Sequence, residues 1–200
     1  MMFHTLLLGH HDEHSIGRIG EALDRMNHRS RVETVASATK ADMATLWELM
    51  KEQPAVDAEH FVPSGVDPLK EVIHHGKNSL PAFTHFQKRF CRADDDSGDV
   101  YGYNHGSTEW LTGPGYFVAH GAGEEKDRPS DYLIDYTRIP PKKADGWPEI
   151  KNNEGGIGAL VYGRMKDYMR RVSTHVSIGK AYKDGKELGA YFLLCRQDPE

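Results

Sequence analysis

Cysteine is scarce in this chain, with only Cys91 and Cys195 among 200 residues. A framework of disulfides is thereby excluded, and a reducing cytoplasm is the expected compartment. Long hydrophobic runs are missing as well. Nothing approaches the roughly 20 apolar residues of a membrane span. The opening MMFHTLLLGHH offers only Thr5 to Leu8 before Gly9, without a basic n-region, so no secretory signal is expected. No segment carries a sustained excess of positive charge, and the net charge is −5. That argues against nucleic acid and against an anionic membrane as partners. The pair Arg170-Arg171 is too local to change this. Internal repeats and low-complexity tracts are absent, and so is the Gly-x-Ser-x-Gly pattern of a nucleophile elbow.

What is present suits one compact domain with an adequate core. Residues 1–95 read as mainly helical. Ser15 is placed to cap a helix reaching about Asn27, with Ile16, Ile19, Leu23 and Met26 at helical spacing. A second helix starts at Thr39 or Ala41, buries Met43, Leu46, Trp47 and Met50, and stops at Pro54. After a loop with Pro63, Gly65 and Pro68, the residues Leu69, Val72 and Ile73 suggest a short helix ended by Gly76. Leu80 to Phe90 suggests another, with Phe83, Phe86 and Phe90 on one side.

Residues 96–200 read as an antiparallel β region. Tyr101, Tyr103, Tyr116, Phe117, Val118, Tyr132, Leu133, Ile134 and Tyr136 fall in short runs punctuated by Gly, Pro and Ser. Pro140 to Gly156 reads as a long loop, a candidate lid. Strands are expected again over 159–164, 168–173, 175–182 and 188–196. The pair Asp184-Gly185 predicts a two-residue hairpin turn. That turn sets Ile178 opposite Tyr191, Val176 opposite Leu193, Ser177 opposite Phe192 and His175 opposite Leu194. Both faces of the hairpin are then largely apolar, as in a barrel whose outer wall is covered by helices.

The C-terminal stretch resembles a bacterial family of unknown function, the GXWXG family. The resemblance is carried by Tyr162, Asp167, Arg170, Arg171, Val172, Gly179, Tyr191 and Phe192, and by the passage Lys88, Arg89, Phe90. The Gly-x-Trp-x-Gly signature itself is absent. The resemblance implies a lipocalin-like antiparallel barrel and brings no reaction with it.

Several clusters could carry chemistry. His10, His11 and His14 could present imidazoles to a metal, but a solvated terminus is the better explanation, and no metal site or cofactor is expected. His74-His75 reads as a surface pair. The run GYNHGSTEWLTGPGYF brings Tyr103, Asn104, His105, Trp110 and Tyr116 close together, as the rim of a ligand pocket would. His175 and Ser177 share a strand face with Phe192 and Leu194, which makes that face the candidate pocket wall, with Asp167 or Asp135 as partners for the histidine. Arg170 could hold a ligand carboxylate, or be a surface ion pair. Cys195 reads as an inert core thiol, and Cys91 as the more reactive one if exposed.

The expected fold is α+β: N-terminal helices packed on a six-to-eight-stranded antiparallel barrel or strongly curved sheet, about that many runs by pattern. The expected function is binding of a small apolar or aromatic molecule, with ligand-binding residues His175, Ser177, Phe192, Leu194, Tyr103, His105, Trp110, Tyr116 and Arg170. Two alternatives stand beside it: an enzyme using a His/carboxylate pair, through His175 or His105, and an interaction module without ligand. A homodimer is compatible with the sequence.

Overall fold

From Val72 onward the side chains alternate between two faces, and the strands built on that alternation close on themselves. The computed structural model describes residues 1–8, 13–81, 84–107, 109–121 and 131–198, without the side chains of 13–16 and 52. Its eight strands are β1 (Val72–Asn78), β2 (His85–Arg92), β3 (Val100–His105), β4 (Phe117–Gly121), β5 (Tyr132–Asp135), β6 (Met165–Arg171), β7 (Val176–Lys183) and β8 (Lys186–Arg196). All neighbouring pairs are antiparallel and follow chain order, and β8 returns to β1 with Leu194 opposite Gly76. Closure leaves no unpaired edge. The protein is an α+β, lipocalin-like barrel.

The helices α1 (Phe3–Leu7), α2 (Glu13–Asp24), α3 (His28–Ala36) and α4 (Lys40–Leu49) lie on the outer wall. Thr39 starts α4 through a reciprocal cap: its hydroxyl accepts from Asp42 N at 3.2 Å, while Asp42 Oδ2 accepts from Thr39 N at 2.9 Å. Asn27 does not end a helix but caps α3, accepting from Ser30 N at 2.9 Å. The helix expected from Ser15 begins at Glu13 and stops at Asp24. Ile19, Leu23, Val35, Met43, Leu46 and Trp47 bury their side chains against Val176, Ile178, Leu193 and Cys195. Each such aliphatic side chain contributes roughly 1.5–3 kcal/mol when fully buried.

Two expected helices are strands instead. The segments around Val72 and from Leu80 to Phe90 form β1 and β2, so the sheet begins near residue 72 rather than 95. Conversely, the strand expected over 159–164 is a short helix, α7 (Gly156–Val161). It packs beside α6 (Glu109–Thr112), where a Cβ on Gly158 would come within 2.9 Å of the Thr112 carbonyl oxygen.

The last hairpin keeps its expected turn but not its expected partners. Lys183 faces Lys186 and Tyr182 faces Glu187; beyond a bulge, Lys180 faces Tyr191, Ile178 faces Leu193 and Ser177 faces Leu194. Leu188, Gly189 and Ala190 stand against Ala181 alone, and Gly189 takes a φ of +60° there. The two extra residues shift partners by two and so preserve the division of faces. Phe192 and Leu194 join the barrel interior, while Ile178, Val176 and Leu193 lie under the helices.

The two ends of the barrel differ. At one end α5 (Ala58–Phe61) inserts the Phe61 ring, 4.9 Å from Phe90 and 5.2 Å from Tyr132, and side chains fill the lower interior. The opposite end carries α6 and α7. The long loop after Pro140 is no lid over it. Its Trp147 is 5% exposed and lies on the outer wall against Tyr103, donating through Nε1 to Glu71 at 2.6 Å.

Candidate functional site

Alternation on β2 points Phe86, Lys88 and Phe90 into the barrel, and thereby carries a lysine into an apolar interior. Lys88 is 2% exposed. Its ammonium donates to Asn104 Oδ1 at 2.9 Å, to Asp167 Oδ2 at 3.2 Å and to the Tyr136 hydroxyl. It also sits 5.0 Å from the Phe192 ring, 5.1 Å from Phe117 and 4.9 Å from Tyr136, within the range of a cation–π attraction.

Glycines on neighbouring strands place those rings. Gly102 is the cross-strand partner of Phe117, and Gly179 that of Phe192. A Cβ on either glycine would lie within 2.4 Å or 2.2 Å, respectively, of the partner ring. The rings therefore fold over bare backbone and close around the ammonium.

Burial lowers the Lys88 ammonium from its ordinary value, with Asp167 opposing. Burial raises the Asp167 carboxyl, with Lys88 opposing. The Tyr136 hydroxyl is pushed well above its ordinary value by burial and then by Asp167. Isolated charges would be untenable at this depth, and the pair with its hydrogen bonds is what holds them.

Above this polar floor lies a cavity of about 270 Å³. Its walls include Phe86, Phe192, Tyr162, Met165, Leu80 and Leu188, with Lys88, Asn104, Tyr136 and Asp167 among the lining residues. His105 and Glu109 stand at its rim, His105 Nδ1 2.9 Å from Glu109 Oε2. The ring of Tyr162, entering from the end of α7, stacks on Tyr136 with centroids 5.4 Å apart.

No family model, curated protein or solved structure matches the chain. The site is therefore read from its own chemistry.

Of the residues singled out in the sequence as pocket wall or rim, Asn104, His105 and Phe192 line this cavity. Leu194 and Ser177 face the interior lower down, opposite each other, and Ser177 Oγ is buried without a hydrogen-bond partner. The others are elsewhere. His175 lies in the turn before β7, its Nδ1 3.3 Å from Asp198, at the far end of the barrel. The strand expected to begin there starts one residue later, at Val176, and no longer carries the imidazole up the wall. Tyr103 and Tyr116 point outward and pack with Trp147, the Tyr116 hydroxyl donating to the Pro148 carbonyl at 2.6 Å. Trp110 is 83% exposed on α6. Arg170 faces the helices, not a ligand: it pairs with Asp131 at 3.0 Å and stacks 3.9 Å over Trp47.

His74 and His75 are no surface pair. On β1 they face opposite ways: His74 is fully buried in the barrel with Nε2 donating to the Phe61 carbonyl at 3.0 Å, while half-buried His75 meets His28 outside. Cys91 is buried, and its thiol is pushed up to about 12 by burial, so it is not the reactive thiol its neighbours suggested. His10, His11 and His14 lie outside the described residues and side chains. Among the described residues no cluster of three or more histidine, cysteine or acidic side chains is placed to hold a metal, and no helix is long and apolar enough to cross a membrane.

Asn104, expected at a pocket rim, and Asp167, expected as a partner of His175, meet instead at the cavity floor, where Lys88 and Tyr136, which the sequence does not mark as site residues, join them. The signal for Lys88 was its place between Phe86 and Phe90 at period two, legible only once that segment is read as a strand. A second cavity, of about 230 Å³, lies toward the closed end beside Arg196 and Asp198. Its charged groups are already engaged: Arg196 donates to the Glu59 and His60 carbonyls, and Asp198 pairs with Arg31.

Proposed function

We propose that the protein binds a small, mostly apolar molecule in the open mouth of its barrel, between the Lys88–Asp167 floor and the helices α6 and α7. The observation that carries this reading is the combination in one cavity of apolar and aromatic walls with a few convergent, buried polar groups. Ligand pockets have that composition, because burial supplies affinity while sparse polar groups fix orientation. Ala190 lines the same cavity at its wall, which provides a test. Thermal-shift measurements against a panel of aromatic and aliphatic small molecules should give a Tm rise with the native chain. Ala190→Phe, which fills the mouth, should lose that rise while still unfolding cooperatively. A rise that persists unchanged in Ala190→Phe would place the ligand elsewhere and end this assignment.

A second reading is favoured by one contact. The His105–Glu109 pair at the rim is a carboxylate-oriented imidazole beside an apolar cavity, an arrangement suited to general acid–base chemistry. The two readings separate cleanly. An enzyme would turn over a bound compound and lose turnover, but not binding, in His105→Gln; a binding protein would return every ligand unchanged.

A further inference from the structure

The large apolar side chains that the fold leaves in solvent are gathered at one end of the barrel. Among the described residues, α6 exposes Trp110 and Leu111, and α7 exposes Ile157, Leu160 and Val161. Leu80 and Leu188 are exposed as well, and with Val161 they line the cavity mouth. Apart from Met1, Met2 and Leu8, the described residues expose no other large apolar side chain. Trp110 is 83% and Leu160 77% exposed, so neither serves the core. A lone surface leucine needs no explanation, but a set collected around one opening marks a contact face.

The polar residues among them carry positive charge that the protein does not neutralise. Lys183 and Lys186 face each other across the Asp184-Gly185 turn, a like-charge pairing that costs stability. Lys183 Nζ donates to the Leu160 carbonyl at 2.7 Å, which holds its ammonium beside the exposed leucine. The nearby carboxylates are already engaged: Asp184 with Arg164 at 3.0 Å, Glu187 with Lys180 at 2.9 Å, and Glu109 with His105 at 2.9 Å. We infer that this end of the barrel docks on an anionic phospholipid surface, with Trp110 and Leu160 entering the headgroup boundary and Lys183 and Lys186 meeting the lipid anions. The inference goes beyond ligand binding and does not depend on it, because it rests on outward side chains rather than on the cavity lining. The net charge of −5 disfavours such a partner for the chain as a whole, and the tip of the last hairpin departs from that average. A protein partner fits the face less well, since the centre of a protein interface is depleted of lysine. An indole and aliphatic side chains set beside basic ones suit the bilayer interface.

The test is sedimentation of the native chain with sucrose-loaded vesicles, of phosphatidylcholine alone or with about a third of phosphatidylserine, at low and at physiological salt. Binding should be about tenfold tighter to the vesicles containing phosphatidylserine at low salt, and should weaken as salt rises. Trp110 also supplies its own signal, because Trp47 and Trp147 are buried. Its emission should shift to the blue on binding and be quenched by brominated acyl chains. Trp110→Ser combined with Leu160→Ser alters two largely exposed positions, and should abolish sedimentation with an unchanged unfolding midpoint. Lys186→Glu should weaken binding to the anionic vesicles by about fivefold or more. Absence of sedimentation with either vesicle overturns the proposal, and equal sedimentation with both overturns the role of the lysines. Binding that survives in the double serine variant, or emission that brominated lipid leaves unquenched, overturns the placement of the contact at α6 and α7. A dimer of the native chain that dissociates in the double serine variant assigns the face to a second copy and overturns the lipid assignment.

Discussion

A single lysine shows how far side-chain chemistry is governed by its position on a strand. Lys88 owes its burial to alternation, its charge to Asp167 and its fixed geometry to Asn104 and Tyr136. The Coulombic gain of such a pair is largely offset by desolvation, so the pair is costly to break and cheap to replace whole. Lys88→Met alone strands the carboxylate, and Asp167→Leu alone strands the ammonium. Each should cost about 3–5 kcal/mol, whereas the double variant should recover most of that loss. Denaturant unfolding of the four proteins gives the coupling directly. Additive single effects would mean that the two groups do not stabilise each other. Arg170 teaches the complementary lesson: three positions beyond Asp167 on β6, and so on the outer face, this charged residue is tied to Trp47 and Asp131 and serves packing, not recognition.

At the scale of elements, the parts legible in the sequence were those whose period has one interpretation. The hairpin at Asp184-Gly185 and the tyrosine-rich strands β3 to β5 announce themselves by turn chemistry and β-propensity. β2 does not, because Phe86 and Phe90 are four apart, a spacing shared by a helix face and a strand face. Misreading that one segment hid Lys88, and with it the floor of the site. The β-branched pair Val72-Ile73 was the available warning for β1. Closure of the barrel through β1 and β8 joins residues more than a hundred positions apart, which local pattern cannot encode. Likewise the bulge at Gly189 leaves no mark in hydrophobic periodicity, yet it decides which residue faces Ser177. The pairing of glycine with phenylalanine across strands is testable at this scale. Gly179→Ala puts a methyl group where the Phe192 ring lies, so the ring must turn away from Lys88. Overpacking of this kind should destabilise the fold by about 1–3 kcal/mol. Unchanged stability with an unchanged ring position, read by crystallography, would show that the strand itself yields instead.

Across the whole molecule the two ends of the barrel are opposites, one opening onto a cavity with apolar walls, the other sealed by α5 over buried histidines. His60 is 2% exposed with neither ring nitrogen hydrogen-bonded, and His74 is fully buried beside it, the rings 6.5 Å apart. Burial is the largest cause of both shifts: His74 falls to about 3, and His60 lies well below its ordinary value, with Arg171, Arg196 and His175 adding repulsion. Both imidazoles are therefore neutral when folded, yet take up a proton near pH 6.5 when unfolded. The stability they permit is fully present above that pH and declines as pH falls below it, because the unfolded chain then binds more protons. The slope is about 1.4 kcal/mol per pH unit for each histidine. Asp167, whose carboxyl is raised by burial, opposes this only once the pH approaches the carboxylate range. His60→Leu should consequently leave stability at pH 7.5 little changed, since no hydrogen bond of the ring is lost. Between pH 6 and pH 5 it should remove about one of the protons taken up on unfolding, as read from the pH dependence of urea midpoints. Identical slopes for the native chain and His60→Leu would mean that the closed end admits a charged imidazole, and that the plug of α5 is looser than its packing against Phe90 and Tyr132 implies.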